Sequence, residues 1–159
     1  MKNNQKQKRE LNLIIGFGQI GSSIYDRFKY LKNNEDSKND FDVKVFDIHQ
    51  FKNENDFVTN KIETIRFGNY GKINFICCID TKPGQDLFNN SGSGSSPNSN
   101  NKTVSSTLLK TFFENKEHFS NEDTEVNIII ESTVPVGSAE KLYHKIVKQD
   151  IVKNIMIFS

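Results

Sequence analysis

The sequence has no tryptophan, only three prolines and two cysteines, and no long apolar run. The cysteines are neighbours, Cys77 and Cys78. Neighbouring residues of a strand point to opposite faces, so an ordinary disulfide between them is not expected. No apolar run is long enough to cross a bilayer, and the first ten residues, MKNNQKQKRE, lack the apolar core of a signal peptide. These absences favour a cytoplasmic protein over a secreted or membrane-spanning one.

The chain also lacks a large excess of charge of either sign. The 21 Lys and Arg residues nearly balance the 20 Asp and Glu residues, giving a formal net charge of +1. Neither nucleic acid nor a membrane surface is therefore predicted as a partner. No residue pattern predicts a metal site. The 159 residues suffice for one domain with a substantial core.

A glycine-rich stretch, LNLIIGFGQIGS from Leu11 to Ser22, organises the chain. An apolar run typical of a buried parallel strand ends at Gly16, and a helix-like segment follows. Gly16, Gly18 and Gly21 have the G-x-G-x-x-G spacing. The first permits a tight turn, the second lets a pyrophosphate approach the backbone, and the third lets the helix pack on the sheet. Helix-start N–H groups would face the phosphates.

An acidic residue at the expected distance strengthens this interpretation. Asp47 ends a second apolar segment, DVKVFDI, where it can accept hydrogen bonds from both adenosine ribose hydroxyls. Its charge would repel a 2′-phosphate, which favours NAD over NADP. Three alternatives stay open: a tight structural turn without a ligand, a capping role for Asp47, and a methyl-donor-binding domain that uses a similar turn and acid.

Alternating strands and helices predict the fold. We expect a single α/β domain over residues 11–159, with a doubly wound, mainly parallel, Rossmann-like sheet and helices on both faces. Residues 1–10 are expected to be a flexible tail. Strands are predicted at 11–15, 43–48, 62–67, 73–80, 126–132 and 154–159, and helices at 19–31, 51–60, 103–119 and 139–148.

Residues 86–102 contain NNSGSGSSPNSNN, which is too polar and too simple in composition to build a core. Because folded-looking sequence resumes on both sides, we interpret this segment as a loop inside the domain. A linker between two domains is the alternative.

One segment is more specific than the glycine turn. ESTVPVGS, from Glu131 to Ser138, resembles the S-T-[VI]-x-x-G-[TS] motif of the UDP-glucose/GDP-mannose dehydrogenase family. That family also opens with the glycine turn and has an aspartate followed five positions later by a basic residue, here Asp47 and Lys52. Its next major strand ends in a C-V-x-T-P-like segment, and the corresponding residues in this sequence are Cys78 to Thr81.

The resemblance implies an NAD-dependent nucleotide-sugar 6-dehydrogenase, which oxidises a sugar C6 alcohol to a carboxylate. It assigns the glycine turn to the pyrophosphate, and Asp47 and Lys52 to the adenosine ribose. Thr81 and Ser132 would line the dinucleotide cleft. Thr133 would line it too and would order a catalytic water; a strand-end preference for β-branched residues is the alternative reason for that threonine. The implied turn residues are Gly16, Phe17, Gly18, Gln19, Ile20 and Gly21.

The sequence also departs from the family. Asp80 and Lys82 replace residues that are usually small or proline. The chain stops at Ser159, so a substrate domain with the catalytic lysine, asparagine and cysteine has no counterpart, and Cys77 and Cys78 do not match the nucleophile motif. We therefore expect the cofactor half of such an enzyme, which as a full-length protein would take a nucleotide sugar and could form a homodimer. A stand-alone NAD-binding module and a degenerate remnant are the alternatives.

Overall fold

The structure is a computed structural model that describes residues 9–34, 40–47, 58–59, 61–79 and 104–159. Six strands, four helices and two short 3₁₀ turns occupy these ranges. The strands are β1 (Arg9–Ile15), β2 (Phe41–Phe46), β3 (Val58–Thr59), β4 (Tyr70–Cys77), β5 (Glu125–Ile130) and β6 (Asn154–Phe158); the helices are α1 (Gln19–Asn34), α2 (Val104–Glu114), α3 (Lys116–Phe119) and α4 (Ser138–Val147); the 3₁₀ turns are Ile62–Thr64 and Phe67–Asn69.

All neighbouring strands of the described sheet run parallel, in the order β3-β2-β1-β4-β5-β6. The chain first builds outward from β1 to β3. It then returns to place β4 on the other side of β1 and builds outward to β6. This order is that of a doubly wound dinucleotide-binding sheet. The predicted Rossmann-like α/β fold is confirmed.

The larger core lies on the face of the sheet that α2, α3 and α4 cover. Alternate residues of β1, such as Leu13 and Ile15, point into it and are fully buried. Four phenylalanines fill the space between sheet and helices, with ring centroids as close as 5.0 Å for Phe112 and Phe119. Because aromatic side chains bury large areas, this cluster contributes much of the apolar burial. Its members are Phe67, Phe75, Phe112 and Phe119.

The opposite face carries a smaller cluster beneath α1. Ile24 and Phe28 of this helix pack against buried residues of β1, β2 and β4. Helical spacing predicts Ile20, four residues before Ile24, on the same apolar face. That prediction is wrong, because Ile20 is 50% exposed. It lies in the first turn of α1, at the end of the sheet where the strands finish. In the first turn of α1, Gly21 therefore packs closely on the end of β1, while the side chain of Ile20 faces solvent.

Three asparagines in register form a buried polar row on this same face. Asn12 of β1 faces Asn74 of β4, which faces Asn127 of β5. Asn74 Nδ2 donates to Asn12 Oδ1 at 2.8 Å, and Asn127 Nδ2 donates to Asn74 Oδ1 at 2.9 Å. Glu10 and Glu125 accept further amide hydrogens. Each of the three side-chain NH2 groups thus has an acceptor, as buried donors require, whereas Asn127 Oδ1 at the end of the row accepts no hydrogen bond from the described residues. We call this row the asparagine ladder.

Several predictions of element type or extent are wrong in part. The expected strand at 62–67 consists of the 3₁₀ turns and an extended link, which bury Ile62, Ile65 and Phe67 without sheet pairing. Of the helix expected at 51–60, the structure describes only residues 58 and 59, and these form strand β3 instead. Arg9 and Glu10, which were predicted to belong to a flexible tail, are part of β1, and residues 1–8 lie outside the described ranges.

The helix predicted at 103–119 is interrupted at Asn115, which leaves helical geometry with φ −115° and ψ 31°. The Asn115 side-chain amide donates to the Thr111 carbonyl at 2.9 Å, a local bond that competes with helix continuation. Strands β2, β4 and β5 also begin one to three residues earlier than expected. The loop predicted at 86–102 lies outside the described residues.

None of the helices in the described ranges is both long enough and apolar enough to cross a membrane.

Candidate functional site

The carboxyl ends of β1 and β4 lie side by side, and the chain leaves them in opposite directions. The Cys78 N–H, just past β4, donates to the Ile15 carbonyl at 2.8 Å, and the Gly16 N–H donates to the Phe46 carbonyl of β2 at 2.9 Å. In open α/β sheets, ligands bind in the crevice that forms where the strand order reverses in this way. The glycine turn stands at this crevice.

Gly16 makes the turn out of β1 possible. Its φ is +96°, in the left-handed region that side chains other than glycine rarely adopt. A Cβ at this position would also lie 2.9 Å from the Cys78 carbonyl oxygen. Both the backbone conformation and the close neighbouring strand therefore require glycine here.

Gly21 and Gly18 differ in what surrounds them. A Cβ on Gly21 would lie 2.0 Å from the Gly16 carbonyl oxygen, so its absence lets α1 pack against the turn. A Cβ on Gly18 would meet no atom within 4 Å. Packing within the domain therefore explains Gly21, whereas at Gly18 the domain leaves open space. Space next to an exposed backbone is what a phosphate group needs for close approach.

The first turn of α1 suits an anion. Gly18 accepts the first helical bond, from the Ser22 N–H at 2.9 Å, so the preceding N–H groups belong to the helix start. Gln19 and Ile20 are exposed there. This first turn contains no acidic residue that would compete for the positive end of the helix dipole.

Asp47 follows β2 directly and is tied to the glycine turn. Its Oδ2 accepts the Phe17 N–H at 2.6 Å, and its own N–H donates to the Thr59 carbonyl of β3 at 3.0 Å. The residue is 8% exposed. A charge-assisted bond of this length fixes the turn relative to the end of β2. The carboxylate therefore lies next to the crevice and holds the backbone of the glycine turn at Phe17.

Ser132 and Thr133 follow β5, the next strand along the edge. Ser132 donates its hydroxyl hydrogen to the Ile79 carbonyl at 2.5 Å, which ties the segment after β5 to the segment after β4. Thr133 is exposed. Further along the same motif, Ser138 begins α4 and is 1% exposed, and its hydroxyl has no hydrogen-bond partner among the described residues. Only Thr133 of these three presents itself openly to solvent.

Both cysteines are buried, on opposite faces of the sheet as predicted. Burial raises the pKa of Cys77 to about 12, and Cys78 next to it adds to the shift. Burial also raises the pKa of Cys78 to about 11, with the charge of Glu131 as a second cause. A thiol that stays protonated near neutral pH is a poor nucleophile. These cysteines serve as small buried side chains.

The structure brings together the glycine turn, Asp47 and the segment at Ser132 and Thr133 along one edge of the sheet. Lys52 and Thr81 lie outside the described residues. Sequence reasoning missed the bonds that join the parts, from Phe17 to Asp47 and from Ser132 to Ile79. Their partners are 30 and 53 residues apart, so no local pattern could have indicated them.

A scan against protein-family models finds no match, and searches of curated proteins and of solved structures find none either. Within the described ranges, no three His, Cys, Asp or Glu side chains are grouped so that they could hold a metal ion. The residues at the crevice are therefore the basis for assigning a function.

Proposed function

We propose that this chain is the NAD-binding domain of a nucleotide-sugar 6-dehydrogenase of the UDP-glucose/GDP-mannose type. One observation carries the cofactor half of this proposal. The turn at the reversal of strand order leaves open space at Gly18, although it is tightly packed at Gly16 and Gly21. Packing within the domain gives no reason for glycine at this position of the turn, whereas a pyrophosphate that approaches the backbone there would give one.

The residues present fit a dinucleotide. Gly18 and the exposed start of α1, at Gln19 and Ile20, would hold the pyrophosphate through backbone N–H groups. Asp47 would accept hydrogen bonds from the ribose hydroxyls, and its negative charge would disfavour the 2′-phosphate of NADP. The bond from the Phe17 N–H holds this carboxylate in position before any ligand arrives. Preorganisation of this kind lowers the cost of binding.

The sugar-dehydrogenase half of the proposal rests on ESTVPVGS. This segment leaves the carboxyl end of β5, which pairs with β4 at the crevice. Bound NAD would supply a hydride acceptor at this edge of the sheet. Ser132 supports the segment through its bond to Ile79, and exposed Thr133 is the residue that would order a water near the reacting sugar. The family resemblance and this placement together support the proposal.

Oxidation of the C6 alcohol to a carboxylate takes two steps, and the second, from aldehyde to carboxylate, needs a nucleophilic thiolate. This chain offers none, because the raised pKa values keep both of its cysteines protonated near neutral pH. We therefore assign cofactor binding to this chain and substrate chemistry to a substrate domain elsewhere. The burial of the cysteines equally fits a stand-alone NAD-binding module for sensing or assembly. The two functions share the binding step and differ in whether a nucleotide-sugar substrate is ever engaged.

Isothermal titration of the purified chain with NAD, NADP and S-adenosylmethionine tests the shared step. We expect NAD to bind more tightly than NADP, and the methyl donor not to bind. Asp47→Asn keeps an oxygen that can accept the Phe17 N–H but removes the charge, so discrimination against NADP should shrink while the protein stays folded. Asp26→Asn, at an exposed position of α1, is the matched control and should change nothing.

Two results would contradict the proposal. Equal or reversed preference between NAD and NADP in the unmodified chain would remove the ribose role of Asp47. Tight binding of S-adenosylmethionine without NAD binding would assign the crevice to a methyl donor.

A further inference from the structure

Helix α2 buries one side and exposes an aromatic residue on the other. Leu108 and Phe112 are fully buried in the larger core, whereas Phe113 is 68% exposed. Scattered exposed apolar residues need no explanation, but a large aromatic beside an apolar depression is typical of an interaction surface.

Such a depression lies next to Phe113. It is a groove of about 380 Å³ between the carboxyl-terminal half of α2 and the turn that joins α4 to β6. Leu109, Phe113 and Ile151 provide its apolar surface, and Ile151 is almost fully buried. Lys110, Glu114 and Gln149 complete the lining. We call this surface the α2 groove.

The charged residues of the groove have opposite signs and lie one helical turn apart. Lys110 Nζ is 3.5 Å from Glu114 Oε1, and both side chains are well exposed, so the pair adds little to the stability of a single chain. If two α2 helices lie antiparallel across a two-fold axis near Phe113, Lys110 of each copy comes opposite Glu114 of the other. The surface is complementary in charge to itself.

We propose that a second copy of this chain docks on the α2 groove about a two-fold axis. Each Phe113 enters the groove of the other copy, and two reciprocal Lys110–Glu114 pairs form at the sides. A two-fold interface uses the same patch on both subunits, so one patch must hold a projecting group, a recess and charges of both signs. The α2 groove holds all of these within α2 and the turn before β6. This inference does not depend on the proposed function.

Sedimentation velocity over a concentration series tests the proposal. The unmodified chain should dimerise at concentrations up to about 100 μM, where contacts with micromolar Kd are populated. Phe113→Ser should weaken dimerisation at least about tenfold, since central aromatic residues dominate interface energetics. Phe158→Ser is the matched control, because Phe158 is also half exposed but lies on β6. It should leave the dimer intact, and circular dichroism should show both variants folded.

A charge exchange tests the two-fold geometry separately. Lys110→Glu and Glu114→Lys should each weaken self-association, because like charges then face each other. An equimolar mixture of the two single variants should recover the dimer as a heterodimer, and the double variant should dimerise like the unmodified chain.

A monomeric unmodified chain would overturn the proposal. So would a dimer that survives Phe113→Ser but is lost in Phe158→Ser, because the interface would then involve β6. Failure of the mixed single variants to associate would overturn the antiparallel arrangement.

Discussion

Gly18 and Gly21 should separate ligand binding from folding when each is replaced by alanine. The two glycines lie three residues apart in one motif. A Cβ at Gly21 would lie 2.0 Å from the Gly16 carbonyl oxygen, whereas a Cβ at Gly18 would meet nothing within 4 Å. Gly21→Ala should therefore damage the domain itself, and Gly18→Ala should damage only what enters the crevice.

The size of the Gly21 effect follows from that contact. Since a Cβ needs about 3.0 Å, the backbone must move by roughly 1 Å, and no side-chain rotation can relieve the contact. Overpacking of this kind costs up to about 3 kcal/mol. The better helix propensity of alanine returns roughly 1 kcal/mol. A net loss of about 2 kcal/mol lowers the Tm of a chain this long by roughly 4–8 °C.

Gly18→Ala should leave stability nearly unchanged. Gly18 occupies the position before α1 that accepts the Ser22 N–H, where alanine is worse than glycine by roughly 0.5–1 kcal/mol. Reduced freedom of the unfolded chain returns about 0.4–1 kcal/mol. The Tm should stay within about 3 °C. NAD affinity should fall at least about tenfold, which is about 1.4 kcal/mol, because the methyl group occupies pyrophosphate space.

Differential scanning fluorimetry and isothermal titration of both variants provide the comparison. A Gly18→Ala protein that binds NAD normally would show that the open space has no role in binding. An equal loss of Tm in both variants would show that the contrast in packing is not real.

Three further predictions concern other parts of the molecule. Asn74→Val should destabilise the fold by about 1–3 kcal/mol, since it removes the donor to buried Asn12 Oδ1 and one of the two acceptors of Asn127 Nδ2. Replacing all three ladder asparagines by valine should cost less than the sum of the single changes in urea unfolding. The buried thiols should react with a disulfide reagent only on unfolding. Because the pKa of Cys77 is higher in the folded than in the unfolded chain, its contribution to stability is complete below about pH 9 and is lost as the pH rises towards 12. Unfolding measured across this pH range should show the loss in the unmodified chain, and the same pH profile in Cys77→Ala would contradict the assignment to Cys77. The chain alone should form no NADH from UDP-glucose or GDP-mannose, and substrate-dependent NADH formation that survives Cys77→Ser and Cys78→Ser would show that the chemistry has been misplaced.

Sequence patterns predicted the sheet well because its central strands, β1, β4 and β5, are largely buried on both faces. Ile14 and Ile76 sit in nearly continuous apolar runs, and such runs between breakers are typical of parallel strands. The turn from Gly16 to Gly21 was predictable because the positive φ of Gly16 and the close packing at Gly21 both require glycine. The 3₁₀ segment near Ile62 was not, since its apolar residues bury themselves without pairing, and periodicity does not distinguish this from a short strand.

The positions of Asp47 and Ser132 at the carboxyl ends of their strands were predictable, but their hydrogen bonds were not. Asp47 could be located from its distance to the glycine turn, because βα units have regular lengths. Its bond to the Phe17 N–H could not, since it depends on how the ends of β1 and β2 meet in three dimensions. The same holds for Ser132, whose hydroxyl bonds to the Ile79 carbonyl of a neighbouring segment. The sequence places these residues at one edge, and packing determines what each hydrogen bond reaches.

The asparagine ladder has a consequence for which strands become neighbours. At the level of Asn12, Asn74 and Asn127, the flanking strands carry Val43 and Met156, so the polar row spans β1, β4 and β5 only. A one-residue slip would turn an amide into the apolar core. We therefore expect the ladder to discriminate against wrong strand pairings, above all between β1 and β4, which are joined by no short connection. That adjacency forms the crevice at the opposite end of the sheet, so we expect a polar row far from the crevice to favour the topology on which the proposed dinucleotide binding depends.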